Sequence, residues 1–263
     1  MLICFDIGNT NIVFGVYDRG VLLNSFRLKT DPNISYDEYG VKIYNVLQIN
    51  NIKPSEITGA IISSVVPMMD PIIEQVIVKY FKVKPLFVGP GIKSGINIKI
   101  DDPRQLGADL LVGAVAAVNK YRTPAIIIDM GTATTITAVN SKNEFIGGII
   151  LPGVITATAS LIKSTAKLEE ARLEKPKHIL GKNTVNSIQS GMVYGTSAML
   201  DGLIRKVKAE IGEAIVILTG GIASVFKDFL EEKVIYDENL LLDGLQILYK
   251  KISKGVKKCK ILN

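Results

Sequence analysis

The sequence predicts a duplicated α/β protein, two α/β domains with mixed sheets flanked by helices. Three observations predict it. Residues 3–16 read as strand, tight turn, strand: an apolar run ending in the carboxylate of Asp6, a polar turn Gly8-Asn9-Thr10-Asn11, and a second apolar run from Ile12. Residues 126–139 lie over this stretch without a gap, Asp129 falling on Asp6, Gly131 on Gly8 and Thr132 on Asn9. Each copy is followed by a third strand, residues 21–28 and 145–151. Later in each comes a buried strand, residues 57–66 and 214–218, the second ending in Thr219-Gly220-Gly221. Two apolar runs match by chance often, but Asp-x-Gly between them with the same strand after it does not. The pattern restarts near residues 121–124, which sets the lobes at 1–121 and 122–263.

The other elements follow in order. Ser35-Tyr36-Asp37-Glu38 is a capping-box pattern that opens a helix through Ile49. Residues 69–81 read as a helix starting beside Pro71, and residues 83–88 as a strand closed by the rigid turn Gly89-Pro90-Gly91. Residues 91–103 are polar and extended, and Gly107-Ala108-Asp109 opens an Ala- and Val-rich helix from Leu110 to Tyr121, suited to burial between layers. Residues 163–182 are charged and read as a mobile flap or a solvated helix, and residues 184–210 as a long helical region. The basic run at residues 250–260 reads as a frayed, solvated end rather than a nucleic-acid contact.

Composition excludes several function classes. Of 263 residues 48% are hydrophobic and mean hydropathy is +0.30, ample for buried cores, yet no apolar run reaches the roughly 18 residues of a membrane span. Met1 leads straight into a strand, so no signal peptide is expected. Cys4 and Cys259 show neither pairing nor metal spacing, consistent with a cytoplasmic protein without disulfides. The net charge of +6 is moderate; it suits steering of acidic small molecules and gives little support to nucleic acid. A single histidine, His178, in a charged loop argues against a Ser-His-Asp triad and a zinc site, leaving acid–base work to carboxylates, lysines or bound metal.

The chemistry centres on the two turns. Gly8 is expected to allow a positive φ, and the short polar residues with free backbone N–H groups suit a polyanion, while Asp6 suits a divalent cation. Taken alone, the first turn is equally an ordinary hairpin with Asn and Gly as turn formers. Its second copy, also bearing an Asp, suggests a nucleotide clamped between lobes with its phosphates at both turns.

Duplicated lobes with Asp-x-Gly hairpins resemble the superfamily of acetate and sugar kinases, heat-shock chaperone ATPases and actin. Within it the chain resembles the type III pantothenate kinases, relatives of the Bvg accessory factor proteins. The segments that carry the likeness are Asp6-Ile7-Gly8-Asn9-Thr10-Asn11, residues 89–98, Gly107-Ala108-Asp109, residues 129–135, residues 147–153 and Gly181-Lys182-Asn183-Thr184, in order along nearly the whole chain. The resemblance implies duplicated ribonuclease H-like (actin-like ATPase) domains. It implies ATP with Mg2+ as phosphoryl donor, pantothenate as acceptor, a monovalent cation (K+ or NH4+), and a homodimer. By the same resemblance Asp6 is the magnesium ligand, and Ile7, Gly8, Asn9, Thr10, Asn11, Ile12 and Val13 cradle ATP with Thr132. Asp129 is the potassium ligand, and Thr219-Gly220-Gly221 borders the adenosine. Gly107, Ala108, Asp109 and Thr184 contact the acceptor, Thr184 near a dimer interface, and Asp109 is the general base. The start of a helix favours an ionised Asp109. Gly191 and Gly195, with Ser187 and Ala198, permit close helix approach, either in a dimer or within the chain.

The chain departs from the family pattern in the acceptor half. Leu110 stands where an arginine would pair with the substrate carboxylate, Ile100 where a tyrosine is usual, and Asp102 where an asparagine precedes proline. Leucine makes no charge-assisted bond, and such bonds contribute about 1.5–3 kcal/mol. Lys99 or Arg104 are the candidate replacements. Three functions are compatible with this set: a pantothenate kinase with a rearranged acceptor pocket, favoured by Asp6, Asp109, Asp129, Thr132 and Thr184; a kinase of a different, less anionic small alcohol, favoured by Leu110 and Ile100; and a non-catalytic nucleotide-binding or regulatory paralogue, against which the presence of Asp109 argues.

Overall fold

The computed structural model describes residues 1–166 and 168–260, with residues 254–260 as backbone. Two compact units form: Met1–Ile96 with Asp101–Ala116 and Leu241–Asn263, and Asn97–Ile100 with Ala117–Leu240.

The first unit is built on a five-stranded sheet of β1 (Leu2–Ile7), β2 (Asn11–Asp18), β3 (Val21–Lys29), β4 (Gly59–Ser64) and β5 (Leu86–Phe87), in the order β3-β2-β1-β4-β5. β1 to β3 run antiparallel, and β4 and β5 are parallel to β1. β1 lies centrally and is apolar on both faces, whereas β3 alternates because one face meets solvent. The second unit repeats the plan with β7 (Ala125–Met130), β8 (Ala133–Val139), β9 (Glu144–Pro152), β10 (Ile215–Thr219) and β11 (Val234–Tyr236). A short β6 (Asn97–Ile98) adds in parallel beyond β9, giving β11-β10-β7-β8-β9-β6. β7, β8, β9, β10 and β11 thus stand where β1, β2, β3, β4 and β5 stand.

The copies differ by one residue at the turn. Asp6 pairs with Val13, but Asp129 pairs with Thr135. The ungapped overlay therefore holds along the first strand and slips by one in the second: the buried Ile12 and Phe14 correspond to Thr134 and Ile136. Strand side chains alternate with period 2, so keeping the overlay would have turned the core side of β8 outward.

In the first unit α1 (Tyr36–Ile49) starts at the expected capping box: Ser35 Oγ accepts the Glu38 N–H (3.3 Å) and Glu38 Oε2 accepts the Ser35 N–H (3.0 Å). Its Tyr39, Ile43 and Leu47 join Phe5, Ile12 and Phe14 in one core. α2 (Asp70–Val76) continues into a wider turn through Phe81, and α3 (Ala108–Lys120) follows. In the second unit come α4 (Val154–Lys163), α5 (Thr184–Ser190), a wide π turn (Gly191–Gly195), α6 (Thr196–Ile211) and the short α7 (Ala223–Phe226).

The last helix, α8 (Leu240–Lys260), corrects the expectation of a frayed tail: the helix runs through the basic stretch. Its buried Leu242, Leu245 and Leu248 anchor it in the first unit. A Cβ at Gly15 would lie 2.9 Å from Leu242 Cδ1, and one at Gly59 2.7 Å from Tyr249 Cζ, so these strand glycines let the helix close on the sheet. Tyr17 donates to Asp243 Oδ1 at 2.6 Å. The strand expected at residues 83–88 shrinks to Leu86–Phe87, and the charged segment after α4 is not helical among its described residues.

Candidate active site

At the first turn, Thr30 holds two carbonyls. Its N–H donates to Thr10 O at 3.0 Å and its hydroxyl to Gly8 O at 2.6 Å. Thr30 is itself buried, so these two oxygens are drawn inward, while Asn9 and Thr10 are exposed with polar side chains. That composition suits an anion. Gly8 does not take a positive φ, contrary to expectation; a Cβ there would sit 3.3 Å from Asn11 O, in the tight turn that Gly8 N–H closes by donating to that oxygen at 3.0 Å.

The second turn is fixed in the same way by different residues. Thr132 O accepts from the Gly153 N–H at 3.1 Å and from Thr156 Oγ1 at 2.9 Å. Gly153 occupies the place of Thr30, and a Cβ on it would lie 2.8 Å from the Thr132 carbonyl carbon and closer still to the Gly131 and Thr132 oxygens. Thr30, Gly153 and Thr156 were not read as site residues from the sequence; only the glycine motif at residues 147–153 signalled the last of the three strands.

Asp6 and Asp129 take matching positions, each penultimate in its strand. Asp6 is registered against Ser63 of β4 and Asp129 against Thr219 of β10. Gly220, at φ +105°, turns the chain beside Asp129: a Cβ there would lie 2.5 Å from Asp129 Oδ1 and would overlap the Met130 backbone. No cluster of three or more His, Cys, Asp or Glu suited to a metal exists among the described residues. A lone carboxylate beside an anion-compatible turn still fits Mg2+, which is commonly held by one or two carboxylates plus substrate phosphates.

Asp109 sits in the first turn of α3. Its carboxylate folds back to accept the Leu110 N–H at 2.8 Å and fills the place a side chain on Gly107 would take, with a Cβ there 2.5 Å from Oδ1. Burial raises the Asp109 pKa above the ordinary carboxylate value, against the partial lowering by backbone N–H groups. The helix start was expected to favour the ionised form; desolvation outweighs it. The result is a stronger proton acceptor once ionised.

The candidate replacement cations are each engaged. Arg104 grips Asp102 through Nε (2.9 Å) and a terminal nitrogen (3.1 Å), which holds the Asp102 carboxyl below its usual range, while Lys99 lies 3.9 Å from Glu144.

Thr184 is the first residue of α5, whose N-terminus Asn183 caps by accepting the Asn186 N–H at 2.8 Å. Gly181 packs against that turn so closely that a Cβ would lie 2.6 Å from Ser187 Cα. Thr184 borders a cavity of about 770 Å³ in the second unit, walled by β8, β9, α4, α5 and α6.

Comparison with known proteins decides the family. The sequence model described as type III pantothenate kinase matches residues 2–206. The chain is 42% identical over 252 residues to a type III pantothenate kinase of Anaeromyxobacter sp. (strain Fw109-5), covering 95% of this chain and 99% of that one. It is 43% identical over 251 residues to that of Exiguobacterium sibiricum, with the same coverage. The chain belongs to the type III pantothenate kinase family. Its fold is shared with a propionate kinase from Francisella tularensis (TM-score 0.52, 14% identity, 94% of this chain and 98% of that one). The activator of 2-hydroxyisocaproyl-CoA dehydratase from Clostridium difficile, solved with bound ADPNP, shares it too (TM-score 0.54, 11% identity, 98% and 97%). The expected α/β fold with mixed sheets is thereby borne out, and the family is that of a kinase.

Proposed function

We propose that this chain transfers the γ-phosphoryl group of ATP to pantothenate, giving 4'-phosphopantothenate in the first step of coenzyme A biosynthesis. Near full-length identity above 40% to relatives named for this activity carries the reading. The duplicated turns, with Gly8 O and Thr10 O tied by Thr30 in the first and Thr132 O tied by Gly153 and Thr156 in the second, each beside an Asp, support the donor half. Residues 7–13 cradle the nucleotide phosphates with Thr132. Asp6 holds Mg2+ and Asp129 a monovalent cation, K+ or NH4+. Bound Mg2+ neutralises charge on the transferred group. Asp109 accepts the proton of the pantothenate hydroxyl, with Gly107 and Ala108 shaping its turn and Thr184 contacting the acceptor. The lobes are read as 1–121 and 122–263; the compact units depart from these bounds, since Asn97–Ile100 groups with the second and Leu241–Asn263 with the first. The protein works as a cytoplasmic homodimer; the described residues include no helix long and apolar enough to cross a membrane.

A second reading, phosphorylation of a less anionic alcohol, is favoured by Leu110 and by the pairing of Arg104 and Lys99 with carboxylates. One coupled assay separates the two: ATP consumption with pantothenate and with a neutral amide analogue, with and without K+. Turnover of pantothenate that requires K+ supports the first reading. Turnover of the neutral analogue alone replaces it with the second, and ATP binding without turnover of either removes both.

A further inference from the structure

One buried hydroxyl beside the first turn has no partner in the fold. Ser63 is wholly buried on β4, and its Oγ makes no hydrogen bond. Packing does not call for that oxygen: alanine would fill nearly the same space, and an unpaired buried hydroxyl is costly unless a partner arrives. The neighbouring Ser64 differs, because its hydroxyl closes a local turn with the backbone of Val66.

The strand register fixes which way Ser63 faces. Ala60 and Ile62 join Ile3, Phe5 and Ile7 in the core on one side of the sheet, so the alternate residues Cys4, Asp6, Ile61 and Ser63 share the other side. There Cys4 is registered against Ile61, and Asp6 against Ser63. Cys4 and Ile61 are wholly buried, whereas Asp6 is half-buried at the end of the row. Neighbouring strands lie about 4.7–4.9 Å apart, which puts the Asp6 carboxylate within reach of a serine hydroxyl turning about its one side-chain bond. The second unit repeats the pair. Asp129 is registered against Thr219, which is 2% exposed at the end of β10. A hydroxyl residue thus flanks the Asp in both copies, where the residues before it, Ile61-Ile62 and Ile217-Leu218, are apolar.

We propose that Ser63 is a positioning residue for the divalent-cation site: its hydroxyl donates to the Asp6 carboxylate in the cation-loaded protein and fixes the orientation of that carboxylate. Carboxylates that ligate metals are in turn hydrogen-bonded by such a second group, and losing it weakens metal binding about 10- to 100-fold. The proposal rests on the reading of Asp6 as the Mg2+ ligand, and it does not depend on which alcohol the enzyme phosphorylates.

The test is calorimetric and needs no turnover: the full-length protein is titrated with a non-hydrolysable ATP analogue, alone and as its Mn2+ complex. Ser63→Ala is expected to weaken binding of the Mn2+ complex by up to about 10- to 100-fold while binding of the metal-free analogue stays unchanged. Ser63→Thr, which carries the hydroxyl residue of the second copy, should bring the affinity for the complex back towards the parent's. In the cation-free protein Ser63→Ala should keep or raise Tm, since it removes an unpaired buried group. A lowered Tm would mean that the hydroxyl serves the fold, and overturns the proposal. Asp6→Asn separates the two readings. If it removes the gain in affinity that Mn2+ gives while Ser63→Ala leaves that gain unchanged, Asp6 stands as the ligand and the role of Ser63 falls. If the parent shows no gain from Mn2+, or Asp6→Asn keeps it, the cation reading itself falls and takes the proposal with it.

Discussion

Gly220→Ala tests the geometry at the end of β10 and the role proposed for Asp129 together. Gly220 has φ +105°, outside the region an L side chain adopts readily, and holding a non-glycine residue in such a conformation costs about 1–3 kcal/mol. The added Cβ would also lie 2.5 Å from Asp129 Oδ1 and overlap the Met130 backbone. Met130 is wholly buried in the central β7, so the strand has no room to retreat, and the Asp129 carboxylate is the part that moves. With about 2–4 °C of Tm per kcal/mol for chains of comparable size, the strain alone lowers Tm by roughly 2–12 °C. Displacement of Asp129 raises the K+ concentration needed for half-maximal turnover. Thermal unfolding and a K+ titration of the coupled assay read the two effects separately. The control is Gly202→Ala within α6, where nothing lies within 4 Å and alanine should stabilise by about 0.5–1 kcal/mol. An unchanged Tm in Gly220→Ala would refute the backbone reasoning, and a lowered Tm with an unchanged K+ requirement would remove Asp129 from the cation site.

Asp109→Asn should abolish most turnover while leaving ATP binding in place; turnover of the variant within a few-fold of the parent would rule out the base. Burial raises the folded-state pKa of Asp109, so its contribution to stability is fully present below the unfolded value, about 3.9, and is lost as pH rises through the folded value. The difference in Tm between Asp109→Asn and the parent should therefore grow in the variant's favour as pH rises from 4 towards neutrality, and a difference flat with pH contradicts that sign. Thr184→Ala should weaken turnover more than ATP binding, and equal loss of both would refute an acceptor contact.

The duplication, the central strands and the α1 capping box were legible because each is local. Asp-x-Gly between apolar runs and Ser35 with Glu38 carry their meaning within a few residues. Helices α4 and α8 were not legible. The basic tail resembles a solvated end unless one knows that Gly15 and Gly59, 44 residues apart in sequence, lie on the two strands that flank β1 and leave room for Leu242 and Tyr249. The one-residue slip between the copies was hidden for a related reason: Thr134 and Thr135 are both plausible on either face, and only pairing with β9 settles which is buried. Among the proposed site residues, Asp6, Asp109 and Asp129 were visible in their motifs. Thr30 and Thr156 were invisible because they act on the turns from other elements.

The two copies also make a paired prediction about how the turns are held. In the first unit a threonine side chain at position 30 reaches Gly8 O; in the second unit the equivalent position is Gly153, and the hydroxyl of Thr156 on α4 reaches a different carbonyl, Thr132 O. The difference follows from the length of the turn. Four residues separate the paired Ile7 and Ile12, three separate Met130 and Thr134, and the shorter turn brings the Gly131 and Thr132 carbonyls onto the space a side chain would need. Thr30→Val should therefore cost about 0.5–1.5 kcal/mol, the loss of one hydrogen bond, and raise the KM for ATP with the fold intact. Gly153→Ala has no such mild outcome, because its Cβ meets backbone rather than the end of a flexible side chain. It should unfold or displace the second turn and lower Tm by more than Thr30→Val does. Equal, small effects of the two substitutions would mean that the turns are not held by the carbonyl ties, and the case for both as phosphate cradles would lose its structural basis.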